Sequence, residues 1–387
     1  LREVNLTPGT SEVEICESRN RRACIPVRAG EAARCEPARS GVRCTVAEKT
    51  RTFVRVSAHS SSVFRLEAAS TESGTNEASR GAFMRAAELR GAQGRLRAQA
   101  TIDLETYVHG VLAGEAATLK SPSALAAMAI LARTWAMHSR GRHRSDGYDF
   151  CSLTHCQFFR LPLTQGKVNA AHDAAVQSTA GLVVKYHGKL IDAYYSAHCG
   201  GRTASAASVW PDRGAPYLRS VSDPYCARGE QASWEQTIPW AQLTQIVKQE
   251  APSSLRGPIR DLEIEQMDES GRVRTLRLVS ESSRLIDANA LRFALNRRFG
   301  WNTLKSSLYS IQHTDGALMF RGRGLGHGVG LCQTGAEQMG QMGISAEPIL
   351  AHYFPGTSVE NVAGGQRPRV LSSEHFDLFF PPGEESL

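Results

Sequence analysis

No apolar run in this sequence approaches the ~18–20 residues that a membrane-spanning helix needs. The best candidate, ALAAMAILARTWAM, is interrupted by Arg133, so the chain is not expected to span a membrane. Phosphate-binding loops are missing too: the glycines of RGRGLGHGVG never meet GxGxxG spacing, and GxxxxGK[ST] does not occur. There is no internal repeat and no cluster of aromatic and basic residues of an RNA-binding type, which argues against nucleic acid as a partner. Export signal and initiator methionine are both absent. The chain opens at Leu1, as a processed form does, and this is no argument for the cytosol.

What is present fits a globular protein. With 387 residues and a hydrophobic fraction of 41%, the chain can bury a large core in two or three domains. Its net charge of +7 favours polyanionic partners, an acidic glycan among them. Nine cysteines leave at least one unpaired. Cys16, Cys24, Cys35 and Cys44 fall in a polar, Arg-rich stretch without a CxxC and with few large apolar residues. This reads as a disulfide-stapled module (residues 1–48) in an oxidising, extracytoplasmic compartment, with the pairing left open.

Patterning predicts an α+β fold: buried helices with antiparallel strands, and an inserted α+β subdomain. RTFVRVSAH and SVFRLEAA alternate as strands do, TESGTNEASRG reads as a loop, and GRLRAQATIDLETYVHGVLAGE runs from a strand into a helix. The clearest helix is SPSALAAMAILARTWAMHSRG, with Ser121 as N-cap, Pro122 first and Gly141 as stop. It is apolar all round except at Arg133 and Thr134, so it is buried. A further helix is expected over VNAAHDAAVQSTAG, then a hairpin turning at His187–Gly188. The subdomain spans about 234–320, within a catalytic domain of residues 52–365. A peripheral tail covers 366–387.

Several groups carry possible chemistry. A buried guanidinium needs an anion, and Glu115 in VLAGEAATL is the first candidate partner for Arg133. Desolvation raises a carboxyl pKa and suits it to act as general acid, then base. A direct ion pair would lower it, so Arg133 is expected to bind substrate or hold Glu115 at a distance. CSLTHCQ has three readings: zinc at Cys151, His155 and Cys156 with His143, a Cys151–Cys156 disulfide, or a cysteine–histidine nucleophile. YYSAHCGGRT offers Tyr195, Ser196 and His198, and Cys199 stands as a disulfide candidate for Cys226. In RGRGLGHGVGLCQTGA, glycine takes every second position from Gly322 to Gly330. An extended chain would there show one bare face, fit for a polymer or a close neighbouring strand, with His327 opposite and Gln333 beyond.

Six segments in order, ETYVHGVLAGE, ALAAMAILARTWA, GYDFCSLTHCQ, IDAYYSAHCGGRT, GRGLGHGVGLCQTGAEQMGQMG and ILAHYFPGT, are similar to those of SpoIID/LytB-domain proteins across residues 52–360. The resemblance implies a lytic transglycosylase that cuts peptidoglycan glycan strands stripped of stem peptides, in the periplasm or at the cell surface. It places Glu115 as catalytic acid/base and Arg133 as its support. Tyr195, Ser196 and His327, with Gln157 and Gln333, would line the glycan cleft. No cofactor is required, although some members carry zinc near Cys151 and His155. A competing implication is a non-catalytic glycan binder that stimulates a cell-wall amidase. The family's Glu-Met-Pro is here Glu115-Ala116-Ala117, and Cys332 replaces a usual serine.

Overall fold

The computed structural model of the protein describes residues 3–18, 20–68, 80–161, 167–228, 233–250, 259–281, 283–362 and 376–378. Most of the loop expected at Thr71–Gly81, and of the tail after residue 365, lies outside these residues.

The fold is a mixed α+β one. Its largest sheet has eleven strands, centred on the long strand Arg55–Ala68. Val56, Ala58, Phe64, Leu66 and Ala68 of that strand point inward, as the alternation predicts. The register against Arg80–Ala92 shifts between His59 and Phe64, but the same face stays inward on both sides of the shift. One edge of Arg55–Ala68 pairs with Arg80–Ala92, which continues to Arg95–Thr101. Its other edge takes both Val4–Pro8 and Val13–Glu17.

The expected boundary near residue 50 therefore falls inside one sheet. Val4, Leu6, Val13, Ile15, Val27 and Val42 share a single apolar cluster with the helices that follow. Too poor in large apolar residues for a core of its own, this segment borrows the core of the next. Its cysteines pair as Cys16–Cys24 and Cys35–Cys44, each bridging directly opposed residues of neighbouring antiparallel strands. Within the tail, Phe376–Leu378 adds a strand between Arg95–Thr101 and Phe150–Cys151.

Helix α1 (Leu104–Glu115) starts at Asp103, whose carboxylate accepts the Thr106 N–H at 2.8 Å. Helix α2 (Pro122–His138) is buried from Ala127 through Ala136 without a break, as its apolar surround demands. Ser121 occupies the N-cap position without capping by its side chain. The Glu337 carboxylate sits just ahead of the first turn, accepting the N–H groups of Lys120 and Ser121 at 3.0 Å, where a helix favours negative charge. Thr134 ties α2 to the strand Leu182–Tyr186 by accepting the Val184 N–H at 2.9 Å. The hairpin turns where expected, with His187 and Gly188 both at positive φ. Residues 234–320 pack a second apolar cluster, including Trp234, Leu243, Leu276, Leu295 and Phe320.

Candidate active site

Glu115 is the last residue of α1, and two glycines of that helix decide its surroundings. A Cβ on Gly110 would sit 2.1 Å from the Phe159 ring, and one on Gly114 would sit 2.0 Å from the Phe158 carbonyl oxygen. Glycine at both positions lets the segment after Cys156 lie flat on α1. The Arg160 N–H then reaches the Gly110 carbonyl at 3.0 Å, and the Phe158 N–H reaches Glu115 Oε1 at 2.7 Å. Tyr195 donates its hydroxyl to the same carboxyl group. Behind it, Gln157 Nε2 donates to the Tyr195 oxygen and Tyr107 donates to Gln157 Oε1, each at 3.1 Å.

This chain of donors ends on Glu115. Burial pushes its carboxyl up to about 7, the Phe158 N–H and Tyr195 hydroxyl pulling the other way. Desolvation wins because both donors are neutral, so neither supplies a countercharge. The residue keeps part of its surface open while its carboxyl is enclosed. An acid of that kind holds its proton near neutrality and can still meet a ligand.

Arg133 is not part of this site. Its guanidinium is fully buried and grips Glu105 with both carboxylate oxygens, Nε to Oε1 at 2.9 Å and Nη2 to Oε2 at 2.6 Å. It also donates to the Leu182 carbonyl at 3.1 Å. Glu105 lies in the first turn of α1, ten residues and so about 15 Å of helix from Glu115. The anion that Arg133 requires was thus correctly foreseen, but its identity was not. A side chain with no exposed surface cannot bind substrate.

The other expected site residues divide. Tyr195 and Gln157 belong to the chain of donors that ends on Glu115. Gln333 is spent on the Glu115 main-chain carbonyl, which its Nε2 reaches at 3.0 Å, so it holds the end of α1. Ser196 is buried, and its hydroxyl has no hydrogen-bond partner among the described residues. His327 accepts the Val329 N–H at Nδ1 (3.0 Å) and packs against Trp210 and Tyr194, with ring centroids at 5.0 and 6.2 Å. Burial, helped by the Arg272 and Arg292 charges, pushes its pKa down to about 3. It is a neutral imidazole, and its contacts are not with Glu115.

The glycine stretch corrects an expectation. A strand ends at Arg323, and Gly324, Gly326, Gly328 and Gly330 then all take positive φ, so the segment winds instead of extending. What comes close is the chain itself. Added Cβ atoms would meet the His198 carbonyl at 2.9 Å, Ser196 at 3.2 Å, Arg272 at 2.1 Å and the Tyr194 carbonyl at 2.1 Å. Leu331–Cys332 then pairs in parallel with Tyr195–Ser196, bringing the segment alongside Tyr195.

Cys151 and Cys156 are both free thiols, so the expected bond between them is not formed; neither is Cys199–Cys226. Ligand atoms of His143, Cys151, His155 and Cys156 lie within 4.8 Å of one another. The closeness of Cys156 pulls the Cys151 thiol below its ordinary value, and that of Cys151 pushes the Cys156 thiol up, as for two sulfurs sharing a proton. His143 Nε2 is buried and faces the Cys151 thiol, while its Nδ1 lies 3.1 Å from Asp146 Oδ2. Two thiols and two imidazoles, one oriented by a carboxylate, fit tetrahedral zinc.

Sequence reasoning missed Glu105, Tyr107, Trp210 and the Phe158 N–H. Only the spacing of Gly110 and Gly114 hinted at the close approach on α1.

Parts of the chain are similar to known proteins. The SpoIID family, described as stage II sporulation protein, matches residues 92–186, which hold Glu115 and the zinc-type cluster. A domain of unknown function matches residues 227–330, around the second apolar cluster. An uncharacterized protein of Brachyspira hyodysenteriae is 29% identical over 260 residues, 67% of each chain. Stage II sporulation protein D of Bacillus amyloliquefaciens is 25% identical over 277 residues, 67% of this chain and 74% of that one. The amidase enhancer of Bacillus subtilis is 26% identical over 293 residues, 65% of this chain but 40% of that longer protein. The SpoIID match and these relatives support a SpoIID/LytB-family protein.

Proposed function

We propose that this protein is a lytic transglycosylase that cuts peptide-free glycan strands of peptidoglycan, with Glu115 as its acid/base. The observation that carries this reading is the enclosed Glu115 carboxyl, raised to about 7 and held by two neutral donors. Glycosidases that use water need a second carboxylate across the bond. Asp149, which could have served, pairs with Arg140 at 3.5 Å. One carboxyl suffices when the sugar supplies its own nucleophile. Glu115 gives its proton to the glycosidic oxygen as the bond to C1 breaks. Its carboxylate then takes the proton of the C6 hydroxyl, whose oxygen closes on C1. The product is an anhydro end, no water is consumed, and Glu115 regains its proton.

The remaining residues support that step. Tyr195 and the Phe158 N–H stabilise the carboxylate between its two proton transfers. Gln157 orients the Tyr195 hydroxyl, and Gln333 fixes the end of α1. Zinc at His143, Cys151, His155 and Cys156 would anchor the segment that delivers Gln157 and Phe158, a positioning role without a chemical one. The positive net charge suits a glycan that carries lactyl carboxylates. Two cystines favour work outside the cytoplasm, and no helix among the described residues is long and apolar enough to cross a membrane.

Digestion of denuded glycan strands, read by mass spectrometry for anhydro-muramic ends, tests the proposal. The wild-type protein is expected to make them and Glu115→Gln is not. Equal yield from both removes Glu115 from its role. No product from either, with strands still bound and a cell-wall amidase stimulated, favours the binding reading, in line with the name of the amidase-enhancer relative.

A further inference from the structure

A second cluster of soft ligands lies apart from Glu115 and from the His143–Cys156 group. Cys199, Asp223, Cys226 and Cys332 are each 0% exposed, and their ligand atoms all lie within 4.8 Å of one another. The four come from three separate places in the chain: the turn after Tyr195–Ser196, the Asp223–Cys226 turn, and the start of the helix Gln333–Gln341.

Three features set this cluster apart from ordinary buried thiols. First, the Cys332 sulfur accepts the N–H of Cys199 at 3.2 Å and that of Gly335 at 3.5 Å, at a helix N-terminus. Both N–H groups point at the sulfur as they would at a metal-bound thiolate. Second, Asp223 is a buried carboxylate whose oxygens face the cluster: Oδ2 lies 3.2 Å from the Cys199 sulfur, and the Tyr353 hydroxyl and Cys226 N–H steady it, each at 2.9 Å. Third, a buried cation stands beside the group. Arg272 is 1% exposed, donates to the Cys199 carbonyl at 2.6 Å and to that of Arg202 at 3.1 Å, and its Nε has no partner among the described residues. The two carbonyls and the Ser270 hydroxyl are neutral acceptors, so its charge is met by Asp268 and by this cluster.

We infer that Cys199, Asp223, Cys226 and Cys332 form a closed structural zinc site, distinct from the His143–Cys156 cluster. Three thiolates and a carboxylate around a dication leave a net charge of about −2, which Arg272 partly offsets; the guanidinium and the cluster explain each other. Zinc suits the donors because thiolates select a soft ion, and four protein ligands leave no open position for chemistry. A tetrahedron with zinc–sulfur bonds of about 2.3 Å has sulfurs about 3.8 Å apart, inside the observed limit. A disulfide would use only two of three converging sulfurs and strand the third beside a buried carboxylate. The same chain does close Cys16–Cys24 and Cys35–Cys44, where only two sulfurs meet. The site would pin the Tyr195 strand, the glycine segment and the Gln333 helix to one another, but its existence does not depend on the proposed activity.

The test begins with wild-type protein unfolded without reductant, alkylated and mapped by mass spectrometry. Cys199, Cys226 and Cys332 are expected as three free thiols, with the two N-terminal cystines intact as an internal control. A disulfide between any two of the three overturns the inference. Native mass spectrometry then counts metal. Folded Cys332→Ser protein is expected to carry about one zinc fewer than wild type, and equal zinc in both overturns the inference. If that variant does not fold, Cys151→Ser/Cys156→Ser protein, which lacks the other thiol pair, is expected to keep about one zinc per chain; none would sink the site.

Discussion

Replacing Glu115 by glutamine should stabilise the protein above neutral pH, and the size of the gain follows from the site. In the folded chain the carboxyl holds its proton to about 7, against an ordinary value of 4.5. Below pH 4.5 it is neutral in both folded and unfolded states, so its titration contributes nothing to pH dependence. Between 4.5 and 7 the unfolded state releases the proton and the folded state does not, so stability falls as pH rises. Each pH unit is worth about 1.4 kcal/mol, and a gap of about 2.5 units amounts to ~3 kcal/mol lost by pH 8. Glutamine is never charged and keeps an oxygen for the Phe158 N–H, so its variant escapes this loss. Urea unfolding of both proteins at half-unit pH intervals reads the difference. The curves should coincide near pH 4.5 and diverge by as much as ~3 kcal/mol near pH 8, with the variant higher. Parallel curves across that range would show that Glu115 is not desolvated, and the argument for its acid role would go with them.

Other perturbations separate the donors from the scaffold. Tyr195→Phe removes a group that lowers the Glu115 pKa. The alkaline fall in kcat/KM on glycan should move upward by about one unit, the worth of one hydrogen bond to a charged group; no move or a downward one refutes the contact. Gly114→Ala places a methyl 2.0 Å from the Phe158 carbonyl. Despite a helix-propensity gain of up to ~1 kcal/mol, overpacking should make it a net loss of about 1–2 kcal/mol in urea unfolding; a net gain would show that the segment is not seated there. Glu105→Ala leaves the buried Arg133 guanidinium without its anion. Glu105 keeps 33% of its side-chain surface, so water relieves part of the penalty, and about 2–3 kcal/mol should be lost. The pH profile should be unaltered, and a shift in it would return Arg133 to the active site.

Local pattern carried much of the reading. An all-apolar surround said that α2 is buried, Pro122 marks its start, and His187–Gly188 supplies a turn, because these features depend on neighbours in sequence. Glu115 was also legible, from its apolar setting and the ordered motifs. Arg133 announced only that it needs an anion. Glu105 or Glu115 could supply one, and the way α1 lies against α2 chose between them. The alternating glycines suggested a bare strand because composition reveals close approach but not φ; four positive values turned it into a winding segment against Tyr194–Gly200. Cysteine counting left the thiol pairings open, since Cys332 stands 106 positions beyond Cys226 (332 − 226) and only folding brings it there. Residue type and near neighbours specify which groups want partners; which partner each receives is a matter of long-range packing, and that is where this protein's chemistry was decided.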